Sequence, residues 1–169
     1  MIEFILANRA ELQFIAMVAL CLAAFRWGKV PERIAALSVG SVFFLDLPYH
    51  AIFGAGVRFE TIDVGHAVMD IIAGLLLTAL ALFANRFYPL CLASFQWLAI
   101  TSHLVRDLNS EILPLAYALM MVVPSYMQQL VLTIGIAAHR RRERLHGPYR
   151  SWRTSWQGSK KTGRTSSTG

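Results

Sequence analysis

Three histidine–aspartate pairs stand four residues apart: Asp46 and His50 in DLPYH, His66 and Asp70 in HAVMD, and His103 and Asp107 in HLVRD. A spacing of i, i+4 puts two side chains on one face of a helix. An imidazole beside a carboxyl can do three kinds of work. The carboxyl can orient the ring, so that the pairs knit neighbouring helices together. It can also back a metal ligand, because a metal-bound histidine typically donates its other N–H to a carboxylate. His50, His66 and His103 would then be the ligands of a divalent ion such as zinc, with an open fourth position for a nucleophilic water. Alternatively, Asp46 and Asp70 can carry protons or ions as deep stations of a relay. Asp46, Asp70, Asp107 and Gln96 would support the metal ligands in the second reading and pass protons in the third. Spacing alone leaves all three open.

Further amides extend the polar set. Gln96 precedes His103 by seven residues and so shares its helix face. Gln128 and Gln129 follow Pro124 and Ser125 and could continue a polar path, or simply hydrogen-bond between helices. Other chemistry is not encoded in recognisable form. The GAG stretch at Gly54–Gly56 lacks a following Lys-Ser/Thr and a preceding strand, so it is no phosphate loop. There is no serine nucleophile elbow and no CxxCH haem motif. Cys21 and Cys91 lie singly in apolar runs, where a thiol acts as a small hydrophobe.

The elements that must position these residues are apolar. Of 169 residues 56% are hydrophobic and 15% charged, and the mean hydropathy is +0.49. A soluble domain carries about 25% charged residues to cover its surface. Five runs approach the ~20 residues that cross a bilayer as a helix: 10–26, 33–53, 64–84, 87–105 and 112–138. Pro31 stands at a plausible helix start, and Pro48 and Pro124 fall inside runs, as membrane helices tolerate. The runs are continuous rather than alternating and too few for a closed barrel. The expectation is an all-α integral membrane bundle of five transmembrane helices.

Charge gives the bundle a direction. With five crossings, the loop after the first run (Arg26, Lys29, Arg33), the loop after the third (Arg86) and the C-terminal region share one side. That side holds thirteen bases against two acids, Glu32 and Glu143; the other, with Asp46 and Asp70, holds eight acids against three bases. Cytoplasmic loops are enriched in Lys and Arg. The chain is therefore expected to run N-out/C-in, with the histidines within roughly one turn of the outer boundary at ~1.5 Å of rise per residue. Were the helices neighbours, the three imidazoles would form a ring with Asp46 and Asp70 beneath it.

Residues 1–146 are expected to form the transmembrane domain and 147–169 a basic, disordered cytoplasmic tail. From Arg140 to Arg164 nine bases face one acid. Tyr149, Trp152 and Trp156 among them suit anionic lipid headgroups. Positive-inside topology explains the basicity, and no nucleic-acid partner is expected. MIEFILANRAELQF lacks a basic n-region and carries Glu3 and Glu11, so the first run is expected to be retained rather than cleaved.

The segments FANRFYPLCLASFQ, SHLVRDLN, PLAYALMMVVPSYMQ and HRRRE, between Phe83 and Arg142, resemble small inner-membrane proteins of alphaproteobacteria. The resemblance spans about a third of the chain. It implies a bacterial inner membrane and carries no activity and no functional residues with it. The functional expectation is a small integral inner-membrane protein, a binding or accessory subunit with a periplasm-facing His/Asp site and a membrane-protein partner. The alternatives are a metal-dependent membrane enzyme acting on a lipid-like substrate, or a proton-coupled carrier.

Overall fold

The structure is a computed structural model and describes residues 8–53, 64–108, 114–147 and 151–152. Within it are five helices: α1 (Arg9–Trp27), α2 (Val30–Phe53), α3 (Val64–Phe83), α4 (Tyr88–Leu108) and α5 (Pro114–His146). Each apolar run has become one helix. The described residues form no strand beyond an isolated bridge between Ala84 and Trp152.

Local chemistry sets the helix ends. α1 stops at Gly28, which turns to extended backbone and donates its N–H to Ala24 O at 2.9 Å. Two residues later α2 begins, and the Glu32 carboxyl reaches back to accept the Lys29 N–H at 3.0 Å, half of a capping box. Pro31 falls in that first turn, where its missing N–H leaves no helical bond unmade. α5 continues eight residues past the expected end at Ala138, because Arg140–Leu145 are good helix formers. It closes at Gly147, whose φ of 73° is the left-handed cap that glycine adopts without a Cβ clash.

Consecutive helices pack against one another, and α5 also contacts α1 and α2, closing the bundle. One apolar cluster fills the half of the bundle nearest Gly28 and Arg86: Met17 and Cys21 of α1, Ala35, Ala36 and Val39 of α2, Leu77 and Leu80 of α3, Leu92 of α4, and Leu132 and Ile136 of α5. Small residues at these contacts let the backbones approach closely. Gly135 is one such point, since a Cβ there would lie 2.8 Å from Cγ of the Tyr88 ring.

The distribution of polarity is inverted relative to a water-soluble bundle. Glu32, Asp70, Gln96, His103, Gln128, Gln129 and His139 are buried, while Ile15, Leu22, Ile72, Leu75, Leu98, Leu130 and Ile134 point outward with half or more of their surface exposed. Among the described residues, two helices, at Arg9–Trp27 and Gly65–Phe83, are long and apolar enough to cross a membrane. Beyond Gly147, the Asn85 N–H donates to Ser151 O at 3.1 Å. This part of the segment expected to be disordered lies against the α3–α4 connection.

Candidate functional site

The histidines and aspartates meet between helices. His66 Nε2 of α3 lies 2.6 Å from Asp46 Oδ1 of α2. His103 Nε2 of α4 lies 3.0 Å from Asp70 Oδ2 of α3. Each carboxyl thus holds the histidine of the next helix in the chain. A carboxylate only accepts, so an ionised Asp in either pair requires the proton to be on Nε2 of its histidine.

Asp70 is the hub. Its Oδ1 accepts from Gln96 Nε2 at 2.8 Å, and its backbone carbonyl accepts from the same amide at 3.2 Å. Gln96 Oε1 in turn accepts from Gln128 Nε2 at 2.7 Å. The line His103–Asp70–Gln96–Gln128 therefore crosses from α4 to α3, back to α4 and on to α5, and all four side chains are buried. A second line joins α1 to α5. Gln13 Nε2 donates to Ser125 Oγ at 2.6 Å, Ser125 donates to Val122 O at 2.7 Å, and Gln129 Nε2 donates to Gln13 O at 3.0 Å. This cross-link sits beside Pro124, which removes a helical N–H donor from α5.

Between the two lines lies a cavity of about 320 Å³ to which all five helices contribute. Asp46, His66, Asp70, Gln96, Gln128, Gln13 and Ser125 give it polar groups, and Phe14, Val39, Phe43 and Val122 give it apolar walls. Among the described residues, no Lys or Arg lines it. The arrangement suits a ligand that brings hydrogen-bond donors or positive charge on an apolar body. No protein-family model, curated protein or solved structure matches this chain.

Of the residues read from the sequence, Asp46, His66, Asp70, His103 and Gln96 are brought together. His66 lines the cavity, whereas His103 is buried behind Asp70. The side chains of His50 and Asp107 lie outside the described residues, so the ring of three imidazoles is not defined by them. Among the described residues, no group of three His, Cys, Asp or Glu is arranged to hold a metal ion. His66 and His103 each turn Nε2 to a different carboxyl, Asp46 and Asp70.

Gln13 was not singled out by the sequence, because it stands alone within the greasy stretch LQFIAMV. A larger omission lies at the opposite end of the bundle. Glu32 is fully buried, and its carboxyl is paired with the buried Arg86 guanidinium of the α3–α4 connection. The Tyr88 hydroxyl donates to the same carboxyl at 3.2 Å. Nearby, Lys29 Nζ lies 2.9 Å from Glu143 Oε1, and this bond holds the Glu143 carboxyl below the usual carboxylate range. His139 is buried with its Nε2 3.6 Å from Glu143. Burial lowers its pKa, Arg86 and Lys29 push the same way, and Glu32 and Glu143 oppose them. The available signal was Glu32 itself, one of two acids on a side holding thirteen bases.

Proposed function

We propose that this chain is a small multi-pass inner-membrane protein of five crossings, N-terminus outside, that serves as a binding or accessory subunit through its outward-facing His/Asp cavity. The observation that carries this reading is the cavity between all five helices, with carboxyl, imidazole and amide groups converging on it from an apolar exterior. Outward leucines and isoleucines on α1, α3, α4 and α5 fit lipid as their solvent, and buried polar groups in such a bundle normally face the interior and mark a site. The excess of acids on one side and bases on the other supports the orientation. Its ligand is a small amphipathic molecule with a cationic or donor-rich head.

A relay through the whole bundle fits less well. On the face of α5 that carries Gln128 and His139, the intervening Leu132 and Ile136 are buried and apolar. Eleven residues separate the two polar groups, about 16 Å of helix. The polar groups form two separate clusters.

Thermal unfolding of the purified protein in mild detergent tests the reading, with short alkyl primary amines compared against the isosteric alcohols. Ligands that bind only the folded state raise the midpoint. The amines are expected to do so in the wild type, and Asp46→Asn with Asp70→Asn to abolish the shift. Equal shifts from amines and alcohols, or none from either, would rule out an acidic binding cavity. Thiol labelling of intact cells carrying a cysteine after Arg164 tests the orientation, and labelling from outside would reverse it.

A further inference from the structure

At the end of the bundle away from the His/Asp cavity, a groove of about 500 Å³ runs between α1 and α5. Its walls are apolar, formed by Leu20 and Ala23 of α1 and Ile136 and Ala137 of α5. Its mouth is not: Arg140, Arg141 and Arg144 line it together with Trp27. The spacing of 137, 140, 141 and 144 puts these residues on one face of α5. The Arg140 guanidinium lies over the Trp27 ring, 4.5 Å from its centroid. This contact fixes the guanidinium beside the apolar wall.

The charge at the mouth is uncompensated by its neighbours. Among the described residues, no acid lines the groove. The two acids of this end are engaged on the other flank, Glu32 with Arg86 and Glu143 with Lys29. Three guanidiniums therefore meet an apolar channel at the level where a tryptophan marks the membrane–water interface. Arginine is suited to phosphate oxygens because its planar fork bonds two of them at once. A free phosphate would satisfy the arginines and leave the apolar walls unused, whereas a lipid satisfies both.

We propose that this groove binds an anionic phospholipid, its phosphate held by Arg140, Arg141 and Arg144 and one acyl chain laid along Leu20, Ala23, Ile136 and Ala137. The inference rests on the multi-pass membrane reading and is separate from the His/Asp cavity. It places lipid recognition on rigid helix residues, not on the basic segment after Gly147. A bound lipid would bridge α1 and α5.

Native mass spectrometry of the full chain, released from mild detergent, can read the site. The probes are phosphatidylglycerol, phosphatidylcholine of the same chain length, and inorganic phosphate. Retention of phosphatidylglycerol is expected to exceed that of phosphatidylcholine by about tenfold. The triple variant Arg140→Gln, Arg141→Gln, Arg144→Gln should lose that preference. A control with the same charge change, Arg150→Gln, Arg153→Gln, Lys160→Gln, should keep it. Ala137→Trp blocks the apolar wall with every charge in place, and it too should lose the lipid, so the result does not depend on the triple variant folding. Equal loss in the control would overturn the proposal in favour of diffuse attraction. Displacement of lipid by inorganic phosphate, or no effect of Ala137→Trp, would overturn the lipid as ligand. Carbonate washing of membranes separates the two readings: a chain that stays in washed membranes without lipid preference sinks this inference alone, and a chain that washes off sinks the membrane reading.

Discussion

Gln96 holds Asp70 at two points, its Nε2 donating to Oδ1 at 2.8 Å and to the backbone carbonyl at 3.2 Å. Both amide protons are committed to one residue on the neighbouring helix, and the amide oxygen is committed to Gln128. Gln96 therefore acts as a rigid coupler. It ties the acid of α3 to α5, and it sets where the Asp70 carboxyl stands in relation to the cavity and to His103.

Asp70→Ala removes the carboxyl that His103 and Gln96 share, leaving Gln96 only the backbone carbonyl of residue 70. A buried polar group stripped of its partner costs about 1–3 kcal/mol. Asp70→Asn keeps an oxygen for Gln96 and is expected to cost less than half as much as Asp70→Ala. Unfolding in mixed micelles of increasing dodecyl sulfate fraction, followed by far-UV circular dichroism, would check this. Equal stability of the two variants would show that the hub is not what holds these helices.

The pair Glu32–Arg86 makes a sharper case, since both side chains are buried. Removing one member leaves an uncompensated charge, and losses of about 3–5 kcal/mol follow from such breaks. Glu32→Leu alone is expected to fall in that range. Glu32→Leu combined with Arg86→Leu should recover most of the loss, because no charge is then stranded. The same unfolding assay decides it: a double variant as weak as the single would mean that Glu32 acts through the Lys29 cap or the Tyr88 hydroxyl.

The sequence made the five helices legible because each is a continuous apolar run, and length and hydropathy need no tertiary knowledge. Asp46, His66, Asp70, His103 and Gln96 were also legible, by the cost of placing such groups among apolar residues. Their pairing was not. An i, i+4 spacing says that His66 and Asp70 share a face, but helix packing decides that His66 meets Asp46 and Asp70 meets His103. Glu32 and Arg86 were read as loop charges that set topology, which concealed their burial. A charge count cannot distinguish a solvated arginine from one folded back onto a carboxyl. Gln13 gave no signal at all, being a single amide whose role depends on Ser125 and Gln129, more than a hundred residues away.

His139 gives the bundle a pH dependence. It is buried facing Glu32, Arg86, Glu143 and Lys29, with its folded-state pKa below the ordinary histidine value, chiefly through burial. The unfolded chain therefore takes up the proton first as pH falls. Stability is complete above the unfolded value of about 6.5 and declines below it. Glu143, whose pKa is lowered by Lys29, adds a loss of the same sign at more acid pH, below the unfolded carboxyl value. The melting temperature should thus drop between pH 7.5 and 5.5 in the wild type and change less in His139→Gln. A midpoint that rises on acidification would contradict the buried neutral imidazole.

Gly135 is where α5 admits Tyr88. A Cβ at this position would stand 2.8 Å from both Cγ and Cδ2 of the tyrosine and 3.0 Å from Cδ1. Those atoms lie at the root of the ring, so the side chain cannot clear the methyl group by a small rotation of its tip. Gly135→Ala must shift α4 against α5 or turn Tyr88 out, and overpacking of this kind costs about 1–3 kcal/mol. Turning Tyr88 out also takes its hydroxyl from Glu32. Tyr88→Ala makes room for the methyl group, so Gly135→Ala should cost little in that background although Tyr88→Ala is itself damaging. The non-additivity, read as the difference between the two Gly135→Ala effects in a double-mutant cycle, is the measurement. Additive losses would mean that the glycine matters for the α5 backbone rather than for the ring that crosses it.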